Sequence, residues 1–426
     1  MTDAPAPTSA PSTTVDVSPT ERTRIAELAR RSHTVIREHQ ASTGAYPASP
    51  TFSAYRGYSW YRDSAFIAEG VSRWGDVASA NAFHSWACRV LEQRTELVAS
   101  LVTARADGAT PTPNELLPTR FTFDGADGTD PWWNFQTDGY GTWLWALATH
   151  VARHDLDPAP WRAGAAVAVD YLLGFWDLPC FDWWEEHVEQ RHVSTLGAIY
   201  GGLRAAADGG LVDGERAARA LAAAQQVREV ILTEGLTSGR APADDGAPTT
   251  APGTSPSPTT APGIPSPADA PPAAPRAHLA KWIGSDAVDA SLAACVVPFG
   301  VLEVGSPLAA ATLDAISADL DVEGGVYRFR ADVFYGGGRW PLLACLLGWN
   351  RAAHGDHEAA LRHLRWAAAQ SDPTGELPEQ VDGHLLAPEH RQEWLDRWGP
   401  VAKPLLWSHG MFLILADELG LLPQER

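Results

Sequence analysis

Apolar residues recur along most of this chain at spacings of three and four, the period of a helix with one face turned to a core. The first such run opens at Ser18-Pro19-Thr20-Glu21. A capping serine, a proline at the first helical position and a first-turn carboxylate there precede an Ala/Leu/Arg helix reaching about residue 39. Eleven further runs follow, over 62–75, 78–103, 137–154, 160–175, 193–208, 213–235, 284–295, 306–319, 338–353, 356–370 and 404–420. TWLWALATHVA and PLLACLLGWN are apolar around most of their circumference, which predicts burial on more than one side. Alternation of strand and helix patterns is absent, which counts against doubly wound and TIM-barrel architectures. A fixed-period repeat, the mark of a solenoid, is absent too. The pattern predicts a large all-α domain. Polar and aromatic residues at the loop-to-helix junctions suggest a double ring of six inner and six outer helices with a pocket at one end.

Two stretches break the pattern. Residues 237–276 hold 11 of the 33 prolines, one Ile and no aromatic residue. Such a segment cannot bury enough surface to offset the cost of ordering, so disorder is expected. Both flanks are helical and each supplies part of the chemistry below, so the segment reads as a loop inserted in one domain spanning 18–426. Residues 1–17 read as a disordered tail without the basic and apolar regions of a secretory signal, and a cytoplasmic protein is expected. No run reaches the roughly 18 apolar residues of a membrane span. With 32 basic against 52 acidic residues the net charge is −20, the wrong sign for neutralising phosphates, so neither nucleic acid nor a membrane is an expected partner. Cys88, Cys180, Cys295 and Cys345 lie far apart without metal-ligand spacing and read as buried thiols, with no metal or other cofactor expected.

Tryptophan changes the picture, with 18 residues against 12 Phe and 9 Tyr. Trp60, Trp132, Trp133, Trp183, Trp184, Trp340 and Trp407 stand beside carboxylates and arginines. Aromatic faces next to charged hydrogen-bonding groups suit a sugar ring, which has apolar C–H faces and a rim of hydroxyls. A glycosidic bond is cleaved by two carboxyl groups, one protonating the leaving oxygen and the other activating water or attacking the anomeric carbon. Glu185 lies between Trp184 and Glu186, where an apolar ring and a like charge would both raise its pKa, as a general acid requires. Glu379, between Pro378 and Gln380, reads as an exposed turn in which a carboxylate stays ionised, as a general base requires.

In order along the chain stand Trp60-Tyr61-Arg62-Asp63, Trp132 with Gln136, Asp182-Trp183-Trp184-Glu185-Glu186, Arg328 with Tyr335, Gly337 and Trp340, Glu379-Gln380, and Pro404 to His409. From about residue 20 onward this resembles glycoside hydrolase family 15, the glucoamylase family. The resemblance implies an (α/α)6 barrel that removes glucose from non-reducing ends with inversion. It implies Glu185 as general acid and Glu379 as general base. Arg62 and Asp63 would bind the terminal glucose with Asp182 nearby, Trp132 and Trp184 would form aromatic walls, Arg328 would bind sugar, and Glu186 would contact the leaving-group side. Trp60, Tyr335, Trp340 and Trp407 complete the expected substrate-binding set. The family's water-positioning tyrosine falls on either Tyr55 or Tyr58. The β-sandwich and starch-binding modules of larger members have no counterpart. The compact layout is that of members acting on isomaltose, so short α-1,6-linked glucosides are the expected substrates. Maltooligosaccharide hydrolysis, trehalose hydrolysis and non-catalytic glycan binding are the alternatives.

Overall fold

The computed structural model describes residues 15–237 and 277–423. The expected tail lies outside the described residues except for Val15 to Val17, and the Pro-rich segment lies outside them except for Thr237. Helix α1 (Pro19–His39) begins where the sequence places it, with Ser18 Oγ accepting from the Glu21 N–H at 3.2 Å. There follow α2 (Tyr61–Trp74), α3 (Val77–Glu92), α4 (Thr95–Ala106), α5 (Asp138–Arg153), α6 (Arg162–Phe175), α7 (Val193–Asp208) and α8 (Gly214–Glu234). After the Pro-rich segment come α9 (Pro307–Leu320), α10 (Pro341–Ala353), α11 (His357–Ala369), α12 (Arg391–Trp398) and α13 (Leu406–Glu418).

Three elements depart from the sequence reading. The run 78–103 is two helices, because Arg94 leaves the helix and donates back to the Val90 carbonyl at 2.8 Å and across to Gly125 O at 2.9 Å. The run 284–295 is helical only over Ala290–Cys295, and there as a 3-10 helix. Asp289 is extended and its Oδ1 caps the Ser291 N–H, which fixes the late start. Helix α12 has no counterpart among the predicted runs. It is eight residues long and its apolar positions, the partly buried Trp394, Leu395 and Trp398, span little more than one turn, too short a run to establish a helical period.

Helices α2, α5, α7, the 3-10 helix, α10 and α13 pack in that order into a closed ring, with α13 returning onto α2. Around it α1, α3, α6, α8, α9 and α11 pack outward, and α4 lies against α6. This is the double ring the helical pattern suggested, an (α/α)6 barrel, with a 3-10 helix as one of its inner posts. Inner helices approach closely where side chains are absent. A Cβ on Gly141 of α5 would lie 2.3 Å from the Ala198 carbonyl of α7. The strands are short: β1 (Tyr58–Trp60) pairs antiparallel with β2 (Arg120–Thr122), and β3 (Asp321–Val322) with β4 (Gly325–Val326). The four cysteines are buried and free. Among the described residues no helix is long and apolar enough to cross a membrane.

Candidate active site

At one end of the ring the chain turns from loops into the inner helices, and there the charged residues named from sequence collect. The pair β1–β2 delivers Trp60 and the first turn of α2, with Arg62 and Asp63, into the barrel. Arg62 is 3% exposed. It donates to Gln136 Oε1 at 2.7 Å and to Asp138 Oδ2 at 3.2 Å, its Nε lies 3.2 Å from Asp63, and its guanidinium sits 5.4 Å over the Trp407 ring. Burial pushes Asp63 up to about 7, against the pull of Arg62.

Glu185 occupies a tight turn with φ 67. Its Oε1 accepts three N–H groups, from Trp60 Nε1 at 2.8 Å, Trp132 Nε1 at 3.0 Å and Gln136 Nε2 at 3.0 Å. Three donors exhaust what one carboxylate oxygen can accept, so a proton on this group belongs on Oε2. The environment therefore differs from the sequence reading: the indoles touching Glu185 come from Trp60 and Trp132. The N–H of neighbouring Trp184 goes instead to Asp289 Oδ2 at 2.9 Å.

Glu379 differs more. It is 2% exposed, because its strand-like segment is sealed by hydrogen bonds from Glu379 N to Ala402 O and from Leu405 N to Leu377 O. The exposed turn expected from Pro378 and Gln380 is absent. Burial pushes the carboxyl up to about 8, a rise that a hydrogen bond from Tyr55 and the charge of Arg328 moderate. Tyr55 Oη donates to Glu379 Oε1 at 2.9 Å, while Glu379 Oε2 finds no partner among the described residues. Of the two tyrosines, Tyr55 is the one that reaches Glu379, whereas Tyr58 Oη goes to Asp130 Oδ1 at 2.5 Å. The Tyr55 ring meets those of Trp60 and Trp132 edge-on, at 5.4 and 6.4 Å. One aromatic cluster thus connects the two carboxyl groups. Burial and the nearby Glu379 and Glu185 charges hold the Tyr55 hydroxyl well above its usual range, so it remains a donor.

On the other side, Arg328 pairs with Asp332 through Nε at 2.8 Å and through Nη2, and reaches Glu186 Oε1 at 3.2 Å. Its guanidinium lies 5.4 Å from both Trp184 and Trp340 ring centres. Burial pushes Glu186 up to about 7. Asp182 holds the turn from inside, its Oδ1 accepting the N–H groups of Trp184 and Glu186 at 2.9 Å each. Burial opposes its ionisation, but His192 and Lys281 outweigh that and keep Asp182 below the ordinary carboxylate value. Two expected contact residues face elsewhere: Asp182 is spent on its own turn and Lys281, and Tyr335, with φ 51, turns its hydroxyl to the Gly399 carbonyl at 2.9 Å, anchoring the end of α12. Sequence reasoning also passed over Asp138, Lys281, Asp289 and Trp398, none of which stands in a recognisable pattern of its own.

The indole N–H groups of Trp340 and Trp407 and Glu379 Oε2 are buried and without a hydrogen-bond partner among the described residues. Buried polar atoms without partners are costly unless a ligand supplies them. This mixture of donors and acceptors between ring faces matches a polyhydroxylated ring. A cavity of about 500 Å³ is lined by Trp132, Trp133, Asp130, Arg397 and Trp398 among others, and Trp132, whose indole donates to Glu185, links it to the cluster.

Residues 26–376 match the family described as glycosyl hydrolases family 15. The chain is 56% identical over 404 residues to an isomaltose glucohydrolase of Kribbella flavida, covering 95% of each. A solved wild-type glycosidase is 55% identical with a TM-score of 0.85, covering 96% of this chain and 100% of that one. A bacterial glucoamylase complexed with acarbose, 18% identical with a TM-score of 0.66, covers 92% of this chain and 55% of that one and shares the fold.

Proposed function

This chain belongs to glycosyl hydrolases family 15 and is a glycoside hydrolase, an exo-acting α-glucosidase; on that premise we propose that it cleaves isomaltose and short α-1,6-linked glucosides with inversion, Glu185 acting as acid and Glu379 as base. The observation that carries this reading is the pairing of two unlike carboxyl groups across one aromatic cluster. Glu185 has one oxygen saturated and the other available, and Glu379 is buried and tied to Tyr55.

The arrangement performs the reaction in one displacement. The Oε2–H of Glu185 passes its proton to the glycosidic oxygen as the bond to the anomeric carbon breaks. A water on the opposite face attacks that carbon and gives its proton to Glu379. Tyr55 donates to Glu379 and keeps the base oriented towards that water. Arg62 and Asp63, braced by Gln136, Asp138 and Trp407, hold the terminal glucose through its hydroxyls. Trp184, Trp340, Arg328 and Glu186 meet the sugar beyond the scissile bond. The identity to an isomaltose glucohydrolase over nearly the whole chain supports the choice of linkage.

The test is a rate comparison on isomaltose, maltose, trehalose, panose and soluble starch, with proton NMR of the early product. The expected result is kcat/KM highest on isomaltose and β-glucose released first. Initial α-glucose overturns the inversion, and a preference for maltose or starch overturns the linkage.

A further inference from the structure

Lys281 stands behind the Glu185 turn and belongs to none of the groups so far given a part in the reaction. It is 3% exposed, and its Nζ lies 3.3 Å from Asp289 Oδ2 and 3.8 Å from Asp182 Oδ2, both carboxylates being 2% exposed. The ammonium also sits 2.9 Å from the centre of the Phe329 ring, next to Arg328. Its backbone is fixed on both sides: Lys281 N donates to Ala287 O at 2.9 Å, and Val193 N at the start of α7 donates to Lys281 O at 3.1 Å. A buried ammonium costs much unless it serves nearby charges, and two carboxylates at this depth need such a partner.

What those carboxylates do gives the lysine its significance. Asp182 binds the N–H groups of Trp184 and Glu186, on either side of Glu185, and its carbonyl accepts from Glu185 N at 3.1 Å. Asp289 binds the indole of Trp184. The whole turn, with Glu185 in the left-handed region at φ 67, thus hangs on two carboxylates that share one cation. Left-handed backbone is unfavourable for a glutamate and persists only where its surroundings over-determine it.

We propose that Lys281 is a positioning residue for proton donation: by bridging the Asp182 and Asp289 carboxylates it fixes the turn that aims Oε2 of Glu185 at the leaving oxygen. This rests on the assignment of Glu185 as the acid. It follows that Lys281 matters in proportion to how much proton the leaving group needs. When isomaltose is cleaved its second glucose departs as an alcohol and requires the proton, whereas α-glucosyl fluoride releases fluoride ion, which requires little help.

The experiment compares Lys281→Met and Lys281→Arg with wild type on both substrates, alongside Glu185→Gln. The Met variant should lose roughly 10- to 100-fold in kcat on isomaltose, with KM within about threefold. On α-glucosyl fluoride it should lose far less, and Lys281→Arg should recover most of the isomaltose activity. Should Lys281→Met fail to fold, Asp182→Asn removes one of its two ion pairs and should show a selective loss in the same direction. Equal losses on both substrates, or no loss on either, overturn the proposal. Glu185→Gln separates the two readings. If it also spares the fluoride, the acid stands and Lys281 is judged by its own pattern; if it does not, the assignment of the acid falls and takes this proposal with it.

Discussion

Glu379 is decided by contacts that a local reading does not contain. Its neighbours Pro378 and Gln380 spell a turn, but Ala402 and Leu405 close over it from more than twenty positions along the chain. Its value of about 8 has a direct consequence for pH dependence. A base works only when ionised, so kcat/KM should climb with pH through a limb far above the ordinary glutamate range. Tyr55→Phe removes a hydrogen bond that favours the ionised form, so the limb should shift further upward while kcat falls. A pH profile of kcat/KM for both enzymes checks this, and a wild-type limb near pH 4.5 contradicts it. Stability carries the same sign. Asp63, Glu186 and Glu379 are all raised by burial, to about 7, 7 and 8. Their contribution is full below their unfolded values near 4 and is lost as pH rises through the folded ones. The melting midpoint of the free enzyme should therefore fall from about pH 5 to about pH 8, and Glu379→Gln should flatten part of that fall. Glu185 was legible as a candidate acid because WWEE is conspicuous. Its true environment was not, since its three donors lie 125, 53 and 49 residues away.

At the level of elements, long amphipathic helices were legible because burying one stripe against a ring imposes the 3.6-residue period over three or more turns. The pieces that escaped are those where another force prevails. Arg94 breaks 78–103 by bonding its own helix end, Asp289 delays the 3-10 helix by capping, and α12 is held by contacts at its aromatic edge. Trp398 stacks on Trp132 at 6.0 Å and Trp394 meets Phe334 at 4.9 Å, two anchors a single turn apart and so too few to repeat as a period. The closeness of the inner helices gives a sharper expectation. Gly141→Ala places a methyl 2.3 Å from a backbone carbonyl of α7, which no rotamer can relieve. Overpacking of this kind costs about 1–3 kcal/mol, so the denaturation midpoint should drop while the residual folded enzyme keeps its KM. An unchanged midpoint in urea would mean that α5 and α7 part easily and that the ring is looser than described.

For the whole molecule, the ring explains why two halves separated by a Pro-rich segment share one site. Helix α2 and the loops leading into α5 and α7 bring Arg62, Gln136 and Glu185 from before the segment, and the elements after it bring Arg328 and Glu379. The flanks of that segment meet: Leu236 bridges Leu279, and Thr237 N donates to His278 O at 2.9 Å. Replacing 238–276 with a few Gly/Ser residues should therefore leave the melting midpoint and kcat/KM on isomaltose near wild type. A folded but inactive variant would assign the segment a part in catalysis. The ring has one more property, which bears on how a chain of net charge −20 gathers so many acids at one end. Each α-helical inner post starts at the site: α2 with Arg62 and Asp63, α5 with Asp138, α7 just after the Glu185 turn, α10 behind Trp340 and α13 with Trp407. The amino end of a helix carries the equivalent of about half a positive charge. Five such ends converge on Asp63, Asp138, Asp182, Glu185 and Glu379, so the backbone of the barrel is itself a counter-ion, one that no side-chain substitution can remove.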